Sequence, residues 1–188
     1  MIGPPFTAVL AAAQHGDEQA FAVLWRDLHP AVLRFLQALA PAAAEDLAAD
    51  TWVSVLPGLL RFAGDERAFR AWVFTAARHR AVDWHRWAAR QPNEAFPLEM
   101  AVDRVAPDDP AAEALEALSA RAALALVAEL PRRQAEVVAM RVLGGLDVAE
   151  VARITGNSPG AVRVLAHRGL RRLAQRLQAT PAGRAANV

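Results

Sequence analysis

The 188-residue chain contains no cysteine, no lysine and no tyrosine. Without cysteine there are no disulfides, no thiolate metal sites and no thiol nucleophile, a composition compatible with a reducing cytosol. Nowhere do eighteen apolar residues run together, which excludes a membrane-spanning helix of ordinary length. The stretch from Met1 to His15 is apolar but carries Pro4-Pro5 and no basic start, so it makes a poor secretory signal. Aromatic residues are only 6% of the chain, and all seven Phe and five Trp lie between Phe6 and Phe96. The two halves are therefore built differently, which favours two domains. Alternating strand patterns and hairpin turn signals are also missing.

Hydrophobic residues make up 54% and charged ones 22%, with a mean hydropathy of +0.14, so a buried core is easily supplied. The net charge of +1 conceals a sorted distribution. Residues 1–60 hold two Arg against six acids, and 61–90 hold seven against three. Residues 91–131 hold two against eight, and 132–188 hold ten against three. Two acidic and two basic blocks alternate, which points to a polyanion met at two separate places. All 21 basic residues are Arg. An Arg-biased genome accounts for that as readily as the suitability of guanidinium for phosphate and base edges.

Helical periodicity dominates the chain. A short helix from about Phe6 ends near Gly16, and Asp17 is placed to cap a second that reaches about Leu39 before Pro41. Phe21, Leu24, Trp25, Leu28, Val32 and Phe35 recur three or four apart on it, an ordinary core stripe. A third helix spans about Glu45 to Leu60, bent at Pro57-Gly58, and a fourth about Ala68 to Ala89. From Gln91 to Ala112 come four Pro and five acids with one Arg, which reads as a linker that would reach roughly 70 Å at about 3.3 Å per residue. The second half reads as four helices. One runs from near Glu113 to Leu130, and Pro131 opens the next, to Leu143. After Gly144-Gly145, Asp147 and Glu150 make a capping box for a short third. Ser158-Pro159 starts a last helix to about Leu177, and the tail from Ala179 reads as frayed. The expected fold is all-α: a domain over 1–90, a flexible acidic linker over 91–112, a second domain over 113–178 and a disordered tail over 179–188.

Two constellations carry chemistry. The first is a helix-turn-helix over Asp147–Leu177. Such a motif wants a small residue where its helices cross, a glycine in the turn and apolar anchors on the second helix, and Ala152, Gly156, Val162 and Leu165 stand at those offsets. On a helical wheel Val162, Leu165, Ala166, Gly169 and Leu173 share one face. Arg163, Val164, His167, Arg168 and Arg171 form the opposite arc, a row of donors suited to a major groove. A basic solvated helix in a bundle is the alternative, but the capping box, the glycine turn and the Arg face together favour DNA reading. The second constellation is Arg61–Arg90, where seven Arg interleave with six aromatics. Guanidinium groups hold a backbone while aromatics stack on unpaired bases, so this mixture suits single-stranded nucleic acid. Val73, Phe74, Ala77, Ala81 and Trp84 form its core face; Trp72, Thr75, Ala76, His79, Arg86, Trp87 and Arg90 spread over the other. Taken alone, those aromatics are better read as core than as stacking platforms.

Other chemistry finds no residues. The five His show no metal-ligand spacing, and the phosphate-loop, dinucleotide and nucleophile-elbow motifs are missing. No metal, cofactor or enzymatic activity is expected. Asp46 and Asp50, one turn apart, read as an interaction face in place of a catalytic pair.

The order of these parts resembles the extracytoplasmic-function sigma factors. Phe21-Ala22-Val23-Leu24, Glu45 through Trp52, Phe69-Arg70-Ala71-Trp72 and Ala77 through Asp83 resemble region two of that family. Leu130-Pro131, Gln134, Val148 through Ala152, and Ser158 through Arg163 with His167-Arg168 resemble region four. The resemblance runs from about residue 6 to 178. It implies an initiation subunit that recruits core RNA polymerase to promoters in the cytoplasm, associated with the nucleoid. By that resemblance Glu45, Asp46, Ala49, Asp50 and Trp52 would dock on the clamp helices of the largest polymerase subunit. Phe62, Asp65, Arg67, Trp72, Thr75, His79, Arg80 and Arg86 would read and open the −10 element. Ser158, Arg163, Val164, His167, Arg168 and Arg171 would read the −35 element, and region four would also touch the flap of the second-largest subunit. The acidic linker would thread the RNA exit path. An anti-sigma factor is a further partner the resemblance implies. Ala49, His79 and Val164 depart from residues frequent at those positions (Gln, Asn and a polar residue). The main rival is a stand-alone helix-turn-helix repressor or activator, which would need a ligand pocket or dimer helix in residues 1–90. An adaptor that binds only proteins fits poorly with the ten Arg of the last block.

Overall fold

A computed structural model describes residues 1–90 and 120–179, and every described element is helical. The expected linker over 91–112, the start of the second domain near Glu113 and the tail beyond Ala179 lie outside the described residues. The first unit comprises α1 (Phe6–Gln14), α2 (Glu18–Leu39), a 3-10 turn (Pro41–Ala43), α3 (Ala44–Leu59) and α4 (Glu66–Ala88). The second comprises α5 (120–128), α6 (Arg132–Val142), α7 (Val148–Thr155) and α8 (Pro159–Ala179).

Local chemistry sets these boundaries. Gly16, with φ of 90°, turns the chain after α1, and the Asp17 carboxylate accepts from Gln19 and Ala20 N–H at 2.8 and 3.0 Å. Asp65 caps α4 by accepting from Ala68 N–H at 2.8 Å, two residues before the start read from the sequence. Gln14 donates to the carbonyls of Leu59 and Phe62 at 2.9 and 2.8 Å, which satisfies the open end of α3 and ties α1 to it. Pro30 lies inside α2 on its exposed side and Pro57 inside α3; neither ends its helix.

The core of the first unit is built from Leu24, Val32, Phe35 and Leu36 on α2, Trp52 and Val55 on α3, and Phe69, Val73 and Phe74 on α4, all buried. Phe35 meets Phe74 edge-on at 5.4 Å between centroids. The α2 stripe departs from expectation at one end. Trp25 is 38% exposed and stacks on His29 at 4.2 Å, while the Trp52 indole on α3 occupies the interior position. Leu56 of α3 is also exposed.

The two units are not uncoupled. α6 packs on α2 and α7 on α4, and Val137, Met140, Leu146 and Val151 join the same buried cluster as Phe35 and Phe74. Gly144 sits at the closest approach: a Cβ there would come within 3.0 Å of the Phe74 ring and 2.6 Å of the Met140 carbonyl oxygen. A side chain there would have to displace the Met140 carbonyl of its own unit and the Phe74 ring across the junction.

Candidate nucleic-acid interface

The helix-turn-helix forms as the spacing requires. The Asp147 carboxylate accepts from Glu150 N–H at 2.8 Å, and Glu150 accepts from Asp147 N–H at 2.6 Å, closing the capping box of α7. Gly156 ends α7 in the left-handed conformation, φ 69° and ψ 20°, which a side chain would strain. The Ser158 hydroxyl then accepts from Ala161 N–H at 3.1 Å and starts α8. Val162 and Gly169 are buried and Leu165 and Leu173 half-buried, so one face of α8 is closed against α6 and α7. Gly169 is required there, because a Cβ would lie 2.6 Å from Val138 Cγ2.

Every residue read as a −35 contact is exposed: Ser158, Arg163, Val164, His167, Arg168 and Arg171. The structure also separates two arginines that the sequence left mixed with them. Arg172 donates to Gln134 Oε1 at 3.0 Å and Arg176 pairs with Glu129, so both brace α8 against its own unit. No side-chain partner accompanies Arg163, Arg168 or Arg171 among the described residues.

The second constellation, on α4 and the turn before it, is only partly open. His79 and Arg86 are exposed, the latter beside Asp83 at 3.5 Å. Asp65 is exposed but occupied as the α4 cap. Phe62 and Trp72, expected to meet bases, stack on each other at 5.1 Å and 18°, and Trp72 fills the space above Gly58. Both are half-buried. Thr75 donates to the Ala71 carbonyl at 2.7 Å, and Arg80 keeps a buried Nε without a partner. Arg67 is paired with Asp147 at 2.5 Å and Glu150 at 3.4 Å. These carboxylates, Glu150 foremost, raise the Arg67 pKa, and hydrogen bonding by the Glu150 N–H, chiefly, lowers that of Asp147.

On α3, Glu45, Asp46, Ala49 and Asp50 are exposed as a partner-facing set requires. Trp52 is not part of that face. It is 5% exposed, packs edge-on to Phe21 at 6.0 Å and donates from Nε1 to His29 Nδ1 at 3.2 Å. Its role is to hold α3 on α2. Sequence reasoning missed Val53, Leu56 and Leu60, which are 66%, 47% and 67% exposed. With Asp46, Ala49 and Asp50 they follow steps of three and four along α3, one continuous acidic-to-apolar stripe. The spacing alone would have revealed it. An apolar groove on the second unit, lined by Leu124, Val127, Val142, Leu143, Leu170 and Leu173, was likewise unforeseen. Among the described residues no cluster of His, Asp or Glu is arranged to hold a metal.

Comparison with known proteins agrees with these two units. The family described as Sigma-70 region 2 matches residues 24–91, and that described as Sigma-70, region 4 matches 120–173. The ECF RNA polymerase sigma factor ShbA of Streptomyces griseus is 38% identical over 182 residues, spanning 89% of this chain and 94% of the relative. The ECF RNA polymerase sigma factor SigD of Mycobacterium tuberculosis is 33% identical over 180 residues, spanning 92% and 84%. The fold is shared with RpoE of Bartonella quintana, solved with the anti-sigma factor NepR (TM-score 0.66, 22% identity, 84% of this chain and 96% of that one). It is shared also with CnrH, solved with the cytosolic domain of CnrY (TM-score 0.62, 22% identity, 92% and 96%). By sequence and by fold, the chain belongs to the ECF RNA polymerase sigma factors.

Proposed function

We propose that this chain directs promoter-specific initiation by four surfaces on two units bounded at 1–90 and 113–178. The outer arc of α8 reads the −35 element in the major groove. Arg163 and Arg168 offer bidentate donors for base edges, and Val164 offers an apolar contact of the kind a thymine methyl takes. Arg171 and Ser158 hold phosphate. The single observation that carries this assignment is the clean division of α8, with Val162 and Gly169 buried and six candidate contacts exposed.

His79 and Arg86, with Arg67, Arg80, Thr75 and the Phe62–Trp72 pair, form the surface for the −10 element once its strands part. Phe62 and Trp72 offer stacking edges only after one moves off the other. The α3 stripe docks on core polymerase. Its carboxylates answer the basic clamp, and Val53, Leu56 and Leu60 supply the apolar area that a stable interface needs. The apolar groove between α5, α6 and α8 is the surface we assign to the flap, and an anti-sigma factor is the regulatory partner we expect. This reading gives the chain no chemical step of its own and places it wherever its polymerase works, on cytoplasmic DNA. A stand-alone regulator is not favoured, since the region 2 match fills the place where its sensor domain would stand.

Run-off transcription with purified core polymerase tests the reading. Promoter-dependent product on addition of this chain is expected. Tight sequence-specific gel shifts by the chain alone, with no product from the mixture, would instead establish the regulator.

A further inference from the structure

Three rings link the outer side of α2 to α3. Trp52, buried on α3, donates from Nε1 to His29 Nδ1 at 3.2 Å. An indole N–H can only donate, so the Nδ1 that accepts it is bare and the imidazole proton sits on Nε2. Burial lowers the His29 pKa, which keeps the ring neutral and that lone pair available near pH 7. His29 in turn stacks on Trp25, with centroids 4.2 Å apart and planes 17° from parallel. The Trp25 indole is thus braced on one side and still 38% exposed. Trp52 touches both Phe21 and His29, one turn before and one turn after Trp25, so the exposed indole stands at the edge of the α2–α3 seam. One turn from Trp52 along α3 are Ala49 and Leu56, both exposed members of the acidic-to-apolar stripe. Trp25 carries that stripe across onto α2.

We propose that Trp25 is an anchor of the polymerase-docking surface, its exposed ring receiving a guanidinium of the partner, and that Trp52 is the positioning residue that holds it there through His29. The inference rests on the docking role given above to the α3 stripe and adds a second helix to it. Exposed apolar residues scattered singly mean little, but Trp25, Ala49, Val53, Leu56 and Leu60 form one continuous patch. Glu45, Asp46 and Asp50 beside it are exposed, and none makes an ion pair among the described residues, so the surface calls for a basic partner. Among side chains an indole is the best face for a cation, and a planar guanidinium is the cation that stacks on it. Arg26, its nearest cation in sequence, points about 100° away around α2. A ring already braced by His29 loses little freedom when a partner covers it, which is what makes a tryptophan an effective binding anchor.

Equilibrium affinity for purified core polymerase, read beside the melting midpoint of the free chain, tests this. Trp25→Ala is expected to bind about ten-fold more weakly or worse. Trp25→Leu, which keeps apolar bulk without a π face, should lose nearly as much, whereas Trp25→Phe should stay within about three-fold of the parent. Parent-like affinity in Trp25→Leu overturns the proposal, as does a loss that follows the melting midpoint across the three variants. The charge reversal Asp46→Arg/Asp50→Arg is measured in parallel. If it abolishes docking while the Trp25 variants bind normally, the α3 reading stands and the Trp25 anchor falls. If it too binds normally, the reading itself fails and takes the proposal with it. The role of Trp52 needs its own readout, since replacing it also disturbs the core. Trp52→Phe keeps a ring against Phe21 and deletes the N–H donor. It is expected to weaken docking about three-fold in the parent and not at all in Trp25→Ala, while lowering the melting midpoint equally in both. Equal affinity losses in the two backgrounds would reduce Trp52 to a core residue and overturn its positioning role.

Discussion

Arg163 and Arg168 stand on the exposed arc of α8 with no carboxylate beside them among the described residues, which leaves their donors open to DNA. Replacing either by Ala is expected to cost about 1–3 kcal/mol of −35 affinity where the contact is bidentate to a base. Equilibrium binding of reconstituted holoenzyme to promoter fragments over a salt series measures this. A loss uniform across promoters, with a shallower salt slope, would mark a phosphate contact instead. His79 is a complementary case, being exposed and outside the core. His79→Ala is expected to leave stability within about 0.5 kcal/mol and to slow promoter opening. A template with a pre-melted bubble should restore most of that loss. Full activity on intact duplex would remove His79 from the opening surface. At this scale the sequence was least informative about tryptophan. Periodicity put Trp25 inside and the family resemblance gave Trp52 to the polymerase face, and the structure reverses both. The pattern fixes an angle around a helix, but which neighbour covers that angle depends on chain far away. For Trp52 the deciding partner, His29, is 23 positions distant.

The helices themselves were legible because each end carries its own chemistry. Asp17, Asp147 and Ser158 accept the backbone N–H groups that their positions foretold, and Gly156 takes the left-handed turn, while Asp65 caps α4 unforeseen. What one helix offers outward was harder to see. The acids of α3 stood out by charge, whereas Val53, Leu56 and Leu60 carry no charge to mark them and are exposed. The exposed stripe permits a clean separation of stability from binding. Asp46→Arg/Asp50→Arg lies wholly outside the core and is expected to shift stability by no more than about 0.5 kcal/mol per site. Placing like charge against a basic partner should nonetheless cost several kcal/mol of association. Thermal melting alongside co-purification with core polymerase distinguishes the two, and normal co-purification would make the stripe mere solvated surface. Within the second unit, Gly169→Val tests the seating of α8. Its side chain would collide with Val138, and an overpacking penalty of about 1–3 kcal/mol is expected, read as a lower unfolding midpoint.

The docking of one unit on the other could not be read from the sequence at all, since Arg67 and Asp147 are 80 positions apart and no local pattern joins them. The junction has a pH signature. His85 of α4 donates from Nε2 to the Leu39 carbonyl at 2.8 Å, and burial, reinforced by the Arg132 charge of α6, lowers its pKa below 6.5. Burial lowers that of His29 as well, and its Nδ1 must stay unprotonated to accept from Trp52. A lowered folded-state pKa means that the neutral form is favoured on folding. The stability it confers is complete above pH 6.5 and is lost as pH falls through the folded values. The melting temperature is therefore expected to drop between pH 7.5 and 5, and to drop less in His85→Gln, whose amide keeps the bond to Leu39. An identical pH slope in both proteins would rule out His85 as a contributor. The seam at Gly144 and Phe74 also has a consequence during synthesis. Helix α4 is complete at Ala88, but Leu146, which helps bury it, emerges nearly 60 residues later. At about 5–20 residues per second, the ribosome takes roughly 3–12 seconds to bridge that gap. Through that interval α4 has only α2 and α3 against it, so Arg67 and Arg78 of every nascent copy meet solvent seconds before the carboxylates that will pair with them are made.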